Sequence, residues 1–375
     1  MALPGFLDLL AKASYLAAAL LFILGLMKMA SPVTARKGIR WAGVGMIIAT
    51  LVTFIAPSTW GEHGIDPINL VLMVVAIALS WAFWAWGKRV PITDMPQMVA
   101  IFNGMGGGSA AGIGAYALLN AAAFEGACTV EAMAAHACMD RTKLVLAVLG
   151  SLIGAVAFSG SVIAWAKLDG RLDRTFRFGG QQLFNGLVFL LTVALGAYLV
   201  FALQVPVIIA FFVAALVFGV LMTLPIGGAD MPVVISMLNS YSGWAAAGIG
   251  FTVGNLMLII AGALVGAAGA ILSYIMCKGM NRSIINVLLG GFGGETAGAA
   301  AAAGGERSVR AGAAEDAGFI MKNASKVIVV PGYGMAVAQA QHTLREMGDL
   351  LKKEGVEVKY AIHPVAGRMP GHMNV

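Results

Sequence analysis

The sequence predicts a polytopic α-helical membrane protein of about nine transmembrane helices, followed by the start of an α/β Rossmann-like nucleotide-binding domain. Three observations predict it. Hydrophobic residues make up 59% of the chain and charged residues only 11%, whereas a soluble domain carries roughly a quarter charged residues. Long apolar runs recur through the first three quarters of the chain. A β-branched run closed by a glycine-rich turn, Ser325-Lys-Val-Ile-Val-Val-Pro-Gly-Tyr-Gly-Met-Ala-Val337, follows them. Three parts result: a membrane domain over residues 1–285, a linker over 286–323, and the N-terminal part of a nucleotide domain over 324–375.

The expected spans are residues 6–29, 39–55, 68–86, 96–120, 144–165, 183–203, 205–224, 231–251 and 255–277. Each approaches or exceeds the roughly 20 residues that cross a hydrocarbon core of about 30 Å. The least marked boundary is the sixth to seventh, where Gln204 and Pro206 alone interrupt the apolar run, so eight or ten spans stay open. The first twelve residues carry neither a basic region nor a small-residue cleavage site, so the first span reads as retained.

The net charge of +6 raises nucleic acid as a partner, but the basic residues fall between apolar segments and form no basic face. They read as topology signals. Arg36, Lys37 and Arg40, then Lys88 and Arg89, then Lys167, Arg171, Arg174 and Arg177, then Lys278 and Arg282 occupy alternate loops, predicted to be cytoplasmic. Glu62, Asp66, Glu125, Glu131 and Asp140 fall in the intervening ones, with Arg141 and Lys143. This places the N-terminus outside and everything after Cys277 in the cytoplasm. Cys128, Cys138 and Cys277 form neither a metal nor a disulfide framework; the first two could pair only in an oxidising compartment. His63 and His136 lie in outer loops, and no His or Glu is expected within a span.

The membrane part repeats itself. Asp94-Met-Pro96 with Asn103, Gly107 and Ala110-Ala-Gly-Ile-Gly114 recurs as Asp230-Met-Pro232 with Asn239, Gly243 and Ala246-Ala-Gly-Ile-Gly250, at a constant offset of 136. Both copies start on the same side, which makes this a parallel repeat. Asp is a favoured N-cap and Pro suits a first helical turn. Nine residues on, about 13 Å along the axis, each Asn comes near mid-bilayer. Such amides often serve only to bind helices together, yet strongly polar groups inside a membrane are also the default candidates for an ion or proton path. Asp230, Asn239 and Asn103 are therefore the candidate path residues, and no metal site is read.

Residues 290–323 lack an apolar period long enough for a span and read as a tether. Beyond them the pattern is strand, turn, helix and strand over 327–330, 332–334, 338–353 and 356–362. A glycine-rich turn before a helix N-terminus suits a pyrophosphate. Lys359, Tyr360 and His363 stand where an NAD site would carry an acidic residue, which points to NADP(H). Some 50 residues cannot bury a sufficient core, so the domain is expected to be incomplete.

Four long stretches carry a family resemblance: Gly227-Gly-Ala-Asp-Met-Pro-Val-Val-Ile-Ser-Met-Leu-Asn-Ser-Tyr-Ser-Gly-Trp244, Ser273-Tyr-Ile-Met-Cys-Lys-Gly-Met-Asn-Arg-Ser283, Pro331-Gly-Tyr-Gly-Met-Ala-Val-Ala-Gln-Ala-Gln341 and Ile362-His-Pro-Val-Ala-Gly-Arg-Met-Pro-Gly-His-Met-Asn374. They resemble the beta subunits of proton-translocating NAD(P)+ transhydrogenases. The resemblance implies a prokaryotic inner-membrane protein that binds NADP(H). An alpha subunit would bind NAD(H) and supply further transmembrane helices, the assembly being a dimer of alpha-beta units. Hydride would pass from NADH to NADP+ as protons move inward. By position, Asp230 and Asn239 match functional polar residues of that family. The NADP contacts would come from Gly332, Tyr333, Gly334, Met335, Ala336 and Val337 in the turn, and from Val365, Ala366, Gly367, Arg368, Met369 and Pro370. Two departures accompany the match. Asn103 stands where many members have a membrane histidine, implying a proton carrier from the alpha partner, and Ala267 and Ala268 replace a serine pair. The competing reading is a secondary transporter or channel gated by a nucleotide-sensing domain; a membrane scaffold with a degenerate nucleotide domain is a third.

Overall fold

The computed structural model describes residues 3–55, 67–91, 94–123, 139–172, 178–227, 230–280, 283–288, 313–332, 334–335, 338 and 340–363. The elements in chain order are α1 (Leu3–Met29), α2 (Pro32–Ile55), α3 (Pro67–Gly87), α4 (Met95–Ala123), α5 (Arg141–Leu168), α6 (Gln181–Phe201), α7 (Val205–Thr223), α8 (Met231–Val253), α9 (Leu256–Gly279), α10 (Ile284–Leu288), α11 (Ala314–Lys322), β1 (Lys326–Val329), α12 (Gln341–Lys353) and β2 (Glu357–Tyr360). Among the described residues, seven helices, α1, α2, α3, α5, α6, α7 and α9, are long and apolar enough to cross a membrane. The chain is a polytopic helical membrane protein.

The two helices outside that set are α4 and α8, which carry the sequence repeat. Their hydropathy is lowered by Gln97, Asn103, Ser236, Asn239, Ser240 and Ser242 and by glycine and alanine standing in for larger aliphatics. In hydrocarbon such groups must be satisfied within the protein, and both helices are accordingly packed against several neighbours.

The element that meets Gln97 and Asn103 is α5, with 61% of its most apolar stretch buried, where α3 has none. Gln97 of α4 meets the Leu168 end of α5, Asn103 meets Ser161, and Gly114 lies against Ser151. Thus α4 and α5 run antiparallel. On α8, Leu238 lies against Gly160 and Ile249 against Gly150, so α8 is also antiparallel to α5 and parallel to α4, as a parallel repeat requires. Close approach depends on missing side chains: a Cβ on Gly154 would stand 2.8 Å from the Gly107 carbonyl oxygen, and one on Gly107 would stand 2.9 Å from the Ala157 Cβ. The second copy repeats the device, with Gly243 of α8 against Gly262 and Gly266 of α9. There Ser240 Oγ donates to Gly266 O at 2.6 Å and Ser236 Oγ to Gly269 O at 3.1 Å. The connection from α8 to α9 is tight because Gly254 takes a left-handed conformation at φ 69° and Asn255 caps α9 by accepting from Leu258 N at 3.1 Å.

The repeat extends into the backbone before each copy. Val90 N donates to Gly87 O at 3.3 Å and Asp94 N to Pro91 O at 3.0 Å; 136 residues on, Ile226 N donates to Thr223 O at 3.3 Å and Asp230 N to Gly227 O at 3.1 Å. The hairpin α1–α2 joins the bundle through Ala18 and Ala19, which pack with Met257 of α9. Gln204 and Pro206 do break the run, separating α6 from α7 through extended backbone at Ala202 and Gln204.

Several expectations change. Helix α2 begins at Pro32, so Arg36, Lys37 and Arg40 lie on a helix rather than in a loop. Lys167 lies in the last turn of α5 and is only 7% exposed, whereas the sequence reading made it a loop charge. Within the stretch read as linker, Ala314–Lys322 is helical, with acidic residues in its first turn and a lysine in its last, an arrangement that suits the helix dipole. Helix α12 starts at Gln341 rather than at residue 338. Strands β1 and β2 pair in parallel with Lys326 opposite Glu357 and Val329 opposite Tyr360, and α12 supplies the crossover that parallel pairing needs. Cys277 is free and buried. Cys128, Cys138, His63 and His136 lie outside the described residues.

Replacing Gly243 by Val is expected to lower the thermal stability of the detergent-solubilised protein, since overpacking costs about 1–3 kcal/mol. Replacing Gly186, where a Cβ meets nothing within 4 Å, by Ala is expected to leave it unchanged. Fluorescence-detected melting of the two variants side by side is the measurement.

Candidate functional site

The small-residue packing of α4, α5 and α8 places three polar side chains at one level of the bundle. Asn103 Nδ2 donates to Ser161 Oγ at 2.9 Å, and the Asn103 carbonyl accepts from Ser242 Oγ at 3.2 Å. Ser242 Oγ also lies 3.1 Å from Leu238 O, its own helix's acceptor one turn back. All three side chains are buried. Asn103 Oδ1 is buried too and has no partner among the described residues, so the amide offers an acceptor to a donor from outside this set. Ser151 Oγ, beside Gly114, is likewise buried without a partner. A buried unpaired acceptor costs about 1–3 kcal/mol, a cost retained here at the centre of the bundle.

The second-copy amide differs. Asn239 is half-buried, and no hydrogen bond involving it is found among the described residues. It stands one turn, about 4.5 Å along the axis, before Ser242. Asn103, Ser161 and Ser242 therefore form one tier, and Asn239 stands one turn from it. Asp230 is half-buried at the head of α8. It occupies the N-cap position, but its carboxylate makes no capping bond to the helix, which corrects the capping role that its residue type suggests. Asp94 is placed likewise at the head of α4, half-buried.

Sequence reasoning singled out Asn103, Asn239 and Asp230. It missed Ser161 and Ser242, which need the contact register between helices, and it missed Lys167. One signal for Lys167 existed: with Gly160 and Ala164 it follows the spacing of a buried helical face.

The turn read as a nucleotide site is formed in part. After β1, Met335 N donates to Gly332 O at 3.2 Å and Ala338 N to Gly334 O at 2.9 Å. A Cβ on either glycine would meet nothing within 4 Å, and neither glycine takes a positive φ. Among the described residues, neither packing nor backbone geometry demands glycine here. Tyr333, Ala336, Val337 and the stretch Val365, Ala366, Gly367, Arg368, Met369 and Pro370 lie outside the described residues. At the end of β2, Lys359 pairs with Glu357 at 2.9 Å, and Glu357 with Lys326 at 3.3 Å.

Residues 11–375 match the family described as NAD(P) transhydrogenase beta subunit. The NAD(P) transhydrogenase subunit beta of Rhodospirillum rubrum is 55% identical over 370 residues, covering 98% of this chain and 76% of that protein. The same subunit from a named strain of that organism matches equally. The chain belongs to the NAD(P) transhydrogenase beta-subunit family.

Replacing Ser161 by Ala strands the buried Asn103 amide donor and is expected to destabilise the protein by about 1–3 kcal/mol. Replacing Asn103 by Leu together with Ser161 by Ala removes both partners, and its cost is expected to fall short of the sum of the single losses. Unfolding in mixed micelles of the three variants reads both numbers.

Proposed function

We propose that this chain is the membrane-spanning, NADP(H)-binding half of an enzyme that transfers hydride between NADH and NADP+ while protons cross the membrane inward. The observation that carries the reading is the tier at which Asn103, Ser161 and Ser242 interlock two parallel repeat helices around α5, with a buried acceptor left unpaired. Family membership sets the reaction class.

On this reading α4 and α8 also span, making nine transmembrane helices with the N-terminus outside in a prokaryotic inner membrane. Asp230 then stands at the cytoplasmic mouth of α8 and Asn239 about 13 Å deeper. Neither amide titrates. Asn103, Ser161, Ser242 and Asn239 can orient and relay a proton through donor and acceptor atoms, but a titratable group has to deliver it. Asp230 serves at the mouth, and the alpha partner supplies the group that reaches Asn103 Oδ1. Moving one charge through 100 mV is worth about 2.3 kcal/mol. Exchange between two nicotinamides is nearly isoenergetic, so that force suffices to bias the products.

The residues around Gly332 fit a dinucleotide: a parallel β1–α12–β2 unit, a turn whose glycines the packing of the described residues does not require, and a basic and aromatic strand end. Gly332, Gly334 and Met335 would offer backbone to the pyrophosphate, with Tyr333, Ala336, Val337 and the 365–370 stretch completing the contacts. The hydride chemistry belongs to the nucleotides; this chain binds and orients one of them. Residues 286–323 link the two parts so that redox state at the nucleotide can be felt at the Asp230 mouth.

In vesicles holding the complete alpha-beta complex, Asp230→Asn and Asn239→Leu are each expected to slow proton-linked exchange by about tenfold or more, with NADP(H) affinity held within about threefold. Wild-type proton-linked rates in both would refute the path, and exchange indifferent to an imposed pH gradient would refute the coupling. A protein that moves solute with no hydride transfer at all would be the gated transporter instead. Gly332→Val is expected to weaken NADP(H) binding by about tenfold, which is about 1.4 kcal/mol, without changing the melting temperature of the nucleotide-free protein. Titration calorimetry beside a melt separates binding from folding.

A further inference from the structure

We infer that Lys167 is a positioning residue for the proton-linked reaction, pinning the turn from which Asp230 is presented; the inference rests on the role proposed above for Asp230. The ammonium of Lys167 has three donors and no acceptor, and three backbone carbonyls receive it: Thr223 O at 3.3 Å, Ile226 O at 2.6 Å and Leu224 O. These carbonyls are the end of α7 and the turn leading out of it. A cation is favoured at a helix C-terminus, where the last carbonyls lack helical partners.

Burial adds to the argument. Lys167 is 7% exposed, and an ammonium so deep is costly unless each donor is used. Around it Ala164 and Leu168 of α5 pack with Ile226, Met231 and Val234. The chain that Lys167 holds therefore continues directly into the packed first turn of α8. Only Gly227, at which the Asp230 N–H closes its turn at 3.1 Å, and two further residues separate Ile226 from Asp230. The position of that carboxylate follows from the pinned turn.

The repeat supplies an internal control. Gly87, Lys88 and Val90 stand 136 residues before Thr223, Leu224 and Ile226 and form the same backbone turn. Among the described residues no side-chain ammonium reaches those carbonyls. The two copies share the turn geometry and the Asp-Met-Pro that follows it, yet among the described residues only the one carrying Asp230 is tied to α5 by a buried charge. A device needed merely to close the turn would be needed in both.

The test uses the complete alpha-beta complex in vesicles, with rates expressed per complex counted by NAD(H) binding. Lys167→Met is expected to cut the proton-linked kcat by about tenfold or more while the KM for NADP+ stays within about threefold, and Lys167→Arg to keep at least about a third of the wild-type rate. Where Lys167→Met does not assemble, Lys167→Gln, which keeps two donors without the charge, is expected to lose at least about threefold. In an Asp230→Asn background, Lys167→Met is expected to add less than about twofold, because residues acting through one another are not additive. A wild-type rate in the Lys167 variants, or a full independent loss in the double variant, overturns the inference while leaving the Asp230 reading standing. A wild-type rate in Asp230→Asn alone overturns the reading beneath it.

Discussion

Hydrocarbon offers no partner to a polar atom, and that constraint organises the bundle. Helices α4 and α8 carry amides and hydroxyls that cannot face lipid, so each has to find acceptors and donors in another helix. Helix α5 provides them for α4, and α9 for Ser236 and Ser240 of α8, because the facing surfaces are rich in glycine, alanine and serine, which allow backbone to approach within reach of short side chains. Gly107 lies against Gly154 and Ala157, Leu238 against Gly160, and Ile249 against Gly150. Ser161 meets the Asn103 amide only because these contacts set the helix separation and register. Widening α5 by one methyl at such a point would move every polar contact of the tier out of hydrogen-bond range.

Much of this was legible in the chain. Composition and run length gave the seven long apolar helices, Gln204 and Pro206 the break between α6 and α7, and the constant offset the parallel repeat, because each of these is a property of local sequence. The partners of Asn103 were not legible. Ser161 and Ser242 lie 58 and 139 residues away from it, and which serine meets which amide is decided by packing. Lys167 was misread for a related reason: basic residues near a span's end usually reach water by extending outward, and here the end of α7 stands in the way and offers carbonyls instead. The helical start at Pro32 was hidden by Arg36, Lys37 and Arg40, which lower the apparent hydrophobicity of a segment that is helical throughout. In the nucleotide part the strands and crossover followed from pattern, whereas Ala314–Lys322 is too short and too polar to announce itself by apolar period.

Duplication followed by unequal packing gives the membrane part its character. The two copies share an Asp, a Pro, an Asn and a glycine at one spacing, and they share the backbone turn before the Asp. Their surroundings differ. Helix α3, ahead of the first copy, buries nothing against the chain, while α7, ahead of the second, buries Ile208, Phe211, Ala215 and Thr223. Asn103 is sealed between α5 and α8, whereas Asn239 is half-open. A symmetric pair could pass a proton equally well either way and would gain nothing from a change at one mouth.

The asymmetry bears on how a redox event could be felt in the membrane. The first-copy amide is buried and donates from Nδ2 to Ser161 Oγ, and the main-chain carbonyl of Asn103 accepts from Ser242 Oγ, so its helix is tied to both neighbours at that level. The second copy is held at its base, where Lys167 of α5 reaches the end of α7 and the turn after it, and is packed through its middle, where Leu238, Ser240 and Ser242 are buried and Asn239 is half-buried. A half-buried side chain on a packed helix can turn between two partners at less cost in packing than a fully buried one, since only that group changes its surroundings. On the proposed reading that makes Asn239 the moving element and Asn103 the fixed one. A passage governed in this way needs no buried charge to be displaced, only an amide to exchange one set of donors and acceptors for another.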